Sequence, residues 1–256
     1  MSGQRVVLLA GDVPSTPIVW ARLSRQIPIE RILLDGPVPR VNLVKRRAKK
    51  LGYLRTASQV AFSAAIVPVL RHAAKERIDE LLAELGEARL PENLVTRFDS
   101  VNSKACIEAL REFDPKVVVV NGTRIISQEV LEATRATFIN MHAGITPRYR
   151  GVHGAYWALA EGRPEAAGVT VHLVDKGIDT GAVLAQARIQ PTDRDNFATY
   201  PLLQLQAGLP MLERAVQAAL NGEVNTVPPM TSLPSALWHH PTVGQYLVNR
   251  FAGRAR

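Results

Sequence analysis

Cysteine is almost missing from this chain of 256 residues: Cys106 is the only one. One thiol cannot close an intramolecular disulfide, and residues 1–16 hold no long apolar segment of the secretory kind, so a reducing cytoplasm is the expected compartment. No apolar run suits a membrane span. The best candidate, residues 60–70, is too short to cross a bilayer as a helix and is interrupted by Pro68. A dinucleotide fingerprint is missing as well. After the first apolar run, Gly11 is followed by Asp12, Val13, Pro14 and Ser15, without the glycines that let a backbone approach a pyrophosphate, which disfavours an NAD-dependent enzyme. His239 and His240 lack further clustered ligands, so no metal site is expected there, and Cys106 lacks a base partner that would make it a nucleophile.

With 46% hydrophobic and 21% charged residues the composition is that of a globular protein, long enough for one main domain and an appendage. The net charge of +8 suits an anionic partner, be it a phosphate ligand, nucleic acid or membrane surface. Much of the excess is local. Lys45, Arg46, Arg47, Lys49 and Lys50 crowd residues 40–55, a run expected to form a solvated helix face. The apolar runs at 6–10, 32–34, 94–98, 116–120, 137–141, 167–174 and 183–188 read as strands. Helical spacing is found at 16–26, 75–85, 103–113, 127–133 and 195–220, the last helix expected to be capped near Asp195, with Pro201 set to kink it or shift its start. This alternation predicts an α/β fold: a Rossmann-like, mostly parallel sheet with helices on both faces. The expected organisation is a catalytic domain at 1–190, with a helical insertion at about 38–90, and a C-terminal helix and tail at 191–256. The insertion is expected to pack on the core or cover the substrate mouth, with a basic element touching anionic lipid as the alternative.

The chemistry concentrates in two runs, residues 138–151 (FINMHAGITPRYRG) and 168–181 (GVTVHLVDKGIDTG). Side chains alternate along a strand, so Asn140 and His142 project to one side, at the carboxyl end where open α/β sheets receive ligands. Asp179 lies in a turn flanked by Gly177 and Gly181. An amide, an imidazole and a carboxylate suffice for acyl transfer to an amine. Asn140 can donate to the oxyanion, His142 can share that task or move a proton, and Asp179 can orient the imidazole and a water or accept the proton.

These runs resemble the signature of the folate-dependent formyltransferases, the family that includes methionyl-tRNA formyltransferase, glycinamide ribonucleotide transformylase and the sugar N-formyltransferases. The resemblance is strong over residues 117–184, fainter over the first strand and helix, and does not reach residues 38–90. It implies Asn140, His142 and Asp179 as the catalytic set and 10-formyltetrahydrofolate as the formyl donor. It further implies a folate site at Asn121, Gly122, Thr123, Arg124, Ile125 and Ile126, closed by the turn bearing Lys176 and Thr180. His172 matches a histidine that supports the site. Arg148, Tyr149 and Arg150 are the expected acceptor contacts, because an arginine fork suits a phosphate. The sequence departs from the family at Gly144 and Thr146, where Ser and Leu are common.

The acceptor is expected to be the amino group of a small, phosphate-bearing molecule, with a nucleotide-linked amino sugar favoured. Glycinamide ribonucleotide and a hydroxyornithine-type precursor are rivals, followed by hydrolysis of the formyl folate and by a non-catalytic anion- or membrane-binding role. Initiator tRNA is not expected, since the residues after Leu220 are too few for the C-terminal domain of the tRNA enzyme. A homodimer and a peripheral membrane contact through the insertion stay open.

Overall fold

The computed structural model describes residues 5–255. Its first half runs β1 (Val6–Gly11), α1 (Ser15–Leu23), β2 (Ile29–Asp35), α2 (Arg40–Leu51), α3 (Tyr53–Ala61), α4 (Val67–Ala73), α5 (Lys75–Leu85), β3 (Val95–Phe98), α6 (Lys104–Phe113), β4 (Val117–Asn121) and α7 (Gln128–Leu131). The second half runs β5 (Thr137–His142), β6 (Arg150–Gly151), α8 (Gly154–Ala160), β7 (Gly168–Leu173), β8 (Val183–Arg188), α9 (Tyr200–Leu220), β9 (Leu237–Trp238) and α10 (Val243–Phe251).

Seven strands form one sheet in the order β3-β2-β1-β4-β5-β7-β8. From β3 to β5 all pairings are parallel, and β7 and β8 add two antiparallel pairings at the other edge. The valine-rich central strands β1 and β4 are buried along their whole length, as a parallel sheet covered on both faces requires. One face packs Val6, Leu8, Val117 and Ile139 against α1 and α9; the other packs Val7, Leu9, Val118 and Phe138 against α6 and α7. Each of these strands therefore carries two apolar faces, which is why it reads as a continuous run rather than an alternation.

The strand order reverses between β1 and β4, so the carboxyl ends of β1, β4 and β5 surround the crevice in which ligands of such sheets bind. Helix α9 starts at Tyr200 instead of 195, which leaves Pro201 in the first turn, where its missing N–H costs nothing. Asp195 does not cap that helix. Its buried carboxylate accepts from Thr192 N and Oγ1 and pairs with Arg77 of α5 at 3.1 Å, tying the insertion to the loop before α9.

The insertion is α2 to α5. Of α2, Ala48 alone is buried among the described side chains, so the basic run is solvated, while Phe62 and Leu81 sink into a second core with Tyr156, Phe197 and Tyr246. Within residues 38–90, contact with this core is made by Phe62 and by Leu81 of α5. Among the described residues, no helix is long and apolar enough to cross a membrane. The tail returns to the body of the molecule: β9 pairs with β6, and α10 begins in a capping box formed by Thr242 and Gln245.

Candidate active site

Strand β5 delivers Asn140 and His142 at its carboxyl end, and β7, paired antiparallel to it, sets His172 directly opposite Asn140. A loop after β7 brings Asp179 back over both. The loop is pinned by Asp175, whose carboxylate accepts from Gly177 N at 2.9 Å and from Thr180 Oγ1 at 2.6 Å. Asp179 itself has φ 51°, a left-handed conformation tolerated by Asp, and its Oδ2 accepts from the backbone N–H of Gly151 at 2.9 Å.

The imidazole of His142 lies between two oxygens. Nε2 is 2.7 Å from the carbonyl oxygen of Tyr149, and Nδ1 is 3.3 Å from Asp179 Oδ2. A carbonyl can only accept, so Nε2 carries a hydrogen, and Nδ1, facing the carboxylate, is the nitrogen free to gain or lose a proton. Gly144 makes this geometry attainable. A Cβ there would lie 2.2 Å from Tyr149 O and 2.8 Å from His142 Nε2, so any side chain would displace the carbonyl that fixes the ring. The departure at Gly144 thereby has a steric reason.

His172 is fixed the other way round. Its Nδ1 donates to Leu173 O at 2.6 Å, which leaves the Nε2 lone pair to accept from the Asn140 amide nitrogen at 3.1 Å. Burial, with the neighbouring His142 adding to it, holds the His172 pKa below its usual value, in keeping with a neutral ring. The 3.8 Å approach of His172 Nε2 to Asp179 Oδ1 is therefore proximity and not an ion pair. One hydrogen of the Asn140 amide points at His172, and the second remains for an oxygen in the cavity.

That cavity, about 420 Å³, is lined by Asn140, His142, His172 and Asp179 together with Gly122, Thr123, Arg124, Ile125 and Ile126 of the loop after β4. Of the residues expected to hold a folate, Lys176 and Thr180 are exposed outside it, and Asn121 faces another cavity, donating to Ser15 and Thr16. Arg124 borders the cavity while its guanidinium is engaged by Asp35 and the carbonyls of Gly36 and Asp99. The loop thus presents mainly backbone and the exposed Ile125.

The expectation for residues 148–150 requires correction. Arg148 pairs with Glu161, Tyr149 is fully buried with its hydroxyl on the same carboxylate at 2.8 Å, and Arg150 donates to Ser235 Oγ and Ile178 O. None of the three side chains lines a cavity beside Asn140. This segment serves through its backbone, the Tyr149 carbonyl and the Gly151 N–H, and β9 holds it: Trp238 Nε1 donates to Arg148 O at 3.0 Å. No side-chain pattern could have flagged those two backbone groups.

On the opposite side of β5, a second cavity of about 530 Å³ shares Met141 and Ala143 with the first. Elsewhere, Cys106 is buried and its thiol is pushed up to about 12 by burial, the reverse of an activated nucleophile. His153 and His240 lie 3.0 Å apart, nitrogen to nitrogen, beside the second core, where His153 packs on Phe197 and Trp157 on Trp238.

A family model described as formyl transferase matches residues 54–201, more than half of the chain, so the resemblance extends over 54–90, a stretch expected from the sequence to lie outside it. Methionyl-tRNA formyltransferase of Myxococcus xanthus is 37% identical over 123 residues, covering 47% of this chain and 39% of that protein. That of Kosmotoga olearia is 32% identical over 130 residues, covering 50% and 42%. The chain thus matches about two fifths of the length of these curated relatives. Among solved structures, a phosphoribosylglycinamide formyltransferase from Anaplasma phagocytophilum superposes with a TM-score of 0.58 at 16% identity, covering 92% of this chain and 98% of the other. A sugar N-formyltransferase from a Shewanella species gives 0.56 at 14% identity, covering 96% and 87%. At such identities the likeness is one of fold.

Proposed function

This chain belongs to the formyl transferase family, and from that premise we propose that it moves a formyl group from 10-formyltetrahydrofolate to the amine of a small acceptor, with Asn140, His142 and Asp179 as the catalytic residues. The observation that carries the reading is the convergence of these three side chains at the carboxyl end of β5, beside a cavity walled by backbone and apolar residues that suits a flat, hydrogen-bonding pterin. The amine nitrogen bonds to the formyl carbon while the bond from that carbon to N10 breaks; one amine proton leaves and one is delivered to N10, so the products are an N-formyl amine and tetrahydrofolate. The free amide hydrogen of Asn140 donates to the formyl oxygen as it becomes negative. His142 Nδ1 and Asp179, 3.3 Å apart, form the pair through which the proton moves. Holding donor and acceptor against each other at the carboxyl end of β5, where the two cavities share Met141 and Ala143, supplies further acceleration.

Arg148 and Arg150, expected as acceptor contacts, are engaged within the protein and offer no free fork to the phosphates of a nucleotide-linked amino sugar. Hydrolysis of the donor is the second reading, since water can replace the amine at the same residues. The two are separated by incubating the protein with 10-formyltetrahydrofolate, with and without a panel of amines, and following folate absorbance. Amine-dependent turnover is the expected result; turnover independent of any amine selects the hydrolase, and no turnover with any acceptor rejects both.

A further inference from the structure

The cavity on the far side of β5 is made by the first turn of α1, helices α4 and α5 of the insertion, and the start of α9. Its walls are Ile18, Ile78, Leu82, Met141, Leu202 and Leu205. Glycine at position 208 of α9 gives Met141 its place, because a Cβ there would lie 2.4 Å from the Met141 sulfur. The polar groups in this lining are few and mostly engaged: Asn121 donates to Ser15 and Thr16, and Gln204 donates to the Gly168 carbonyl at 2.6 Å. No carboxylate lines it. Arg71 is the one charged residue of the lining, exposed, and among the described residues its side chain has no ion pair or hydrogen bond.

From this lining we infer that the acceptor is an amine on an apolar body that carries one anionic group, bound with the body against α5 and α9, the anion at Arg71 and the amine at Met141 and Ala143, next to Asn140. The inference rests on the formyl-transfer reading and names the substrate class of that same site. A sugar or nucleotide needs several fixed donors and acceptors to replace water at its hydroxyls and phosphates, and leaving those groups unpaired costs more than burying apolar surface gains. An apolar body needs only shape and dry walls. The single cation sets orientation, since an anion at Arg71 turns the other end of the molecule towards β5. No carboxylate of this chamber pairs with the acceptor nitrogen, so Asp179, in the adjoining cavity that shares Met141 and Ala143, is the carboxylate available to take a proton from the amine before it attacks.

Of the six walls named, Ile78 and Leu82 come from α5, as Arg71 comes from α4, and Leu202 and Leu205 come from the start of α9. The insertion is thereby part of acceptor selection and more than a cover.

The test is calorimetric binding to the full chain, which needs no turnover. The probes are amino carboxylates with alkyl and aryl bodies, the same amines lacking the carboxylate, a nucleotide-linked amino sugar and, separately, tetrahydrofolate. The amino carboxylates are expected to bind about fivefold to tenfold more tightly than the matching amines. Arg71→Gln should erase that difference and leave the plain amines unchanged, while Ile78→Gln should weaken both sets. The inference is overturned if the nucleotide-linked sugar binds most tightly, if Arg71→Gln weakens both sets equally, or if tetrahydrofolate binds and no apolar amine does. That last outcome leaves formyl transfer standing. Failure of tetrahydrofolate itself to bind removes the formyl-transfer reading, and this inference with it.

Discussion

The two sides of β5 differ in kind. Towards the loop after β4 lie four polar side chains with fixed partners: Asn140 on His172, His172 on the Leu173 carbonyl, His142 between Tyr149 O and Asp179. Towards α5 and α9 lies a mostly apolar chamber with one unpaired cation. A strand with alternating side chains lets one segment of six residues serve both, because Asn140 and His142 face one way and Met141 the other. The difference teaches where chemistry and choice are separately written: reaction type in the polar network, acceptor in the apolar walls supplied largely by the insertion and α9.

The largest expected effect falls on the polar side. Asn140→Ala removes an oxyanion donor and should lower kcat by about 100-fold to 1000-fold, with His142→Ala and Asp179→Ala similar or worse and circular dichroism unchanged. Steady-state rates with any accepted amine check this. Gly144→Ala comes next. Its Cβ meets Tyr149 O at 2.2 Å, so the carbonyl that fixes His142 must shift. Thermal unfolding should report a loss of about 1–3 kcal/mol together with a fall in kcat, while acceptor binding on the other side of β5 is retained.

A third prediction separates stability from catalysis. His153 is held down to about 3 by burial, with His240 and Arg47 adding to it, and His240 to about 4 by burial, with Arg47 and His239 adding to it. Both rings are neutral in the fold and bind protons more readily when unfolded, so the stability they leave intact above about pH 6.5 is lost as pH falls towards 4. Each contributes a slope of about 1.4 kcal/mol per pH unit in that window. Urea unfolding between pH 4 and 7 should reveal it, and His153→Asn with His240→Gln should flatten it without altering the acceptor preference. Asn tolerates the left-handed backbone at position 153. The smallest effect belongs to Cys106→Ala, which should leave turnover unchanged and cost about 1 kcal/mol for the vacated volume, measured by denaturant unfolding.

Much of the scaffold could be read without the structure, because its signals are local. The buried central strands are unbroken valine runs, and β8 and α5 begin and end where periodicity places them. Asn140, His142 and Asp179 were legible because the spacing of Asn140 and His142 and the glycines around Asp179 each predict a geometry. What stayed hidden depends on chain segments far apart in sequence. The Tyr149 carbonyl and Gly151 N–H are backbone groups whose roles appear only once β9 pins β6. Arg148 and Arg150 read as ligand contacts because a sequence does not disclose that Glu161 and Ser235 fold back onto them. Asp195 reads as a helix cap until Arg77, 118 residues earlier, arrives as its partner. The chamber around Arg71 was illegible for the same reason, its walls being drawn from four helices and three strands.

One measurement bears on the whole division of labour: kcat/KM for an amino carboxylate and for the matching plain amine, in the wild-type protein, Asn140→Ala and Arg71→Gln. Asn140→Ala is expected to lower both values by the same factor of about 100 or more, and Arg71→Gln to lower only the first, by about fivefold to tenfold. Near wild-type rates in Asn140→Ala, or an equal loss for both acceptors in Arg71→Gln, would contradict that division.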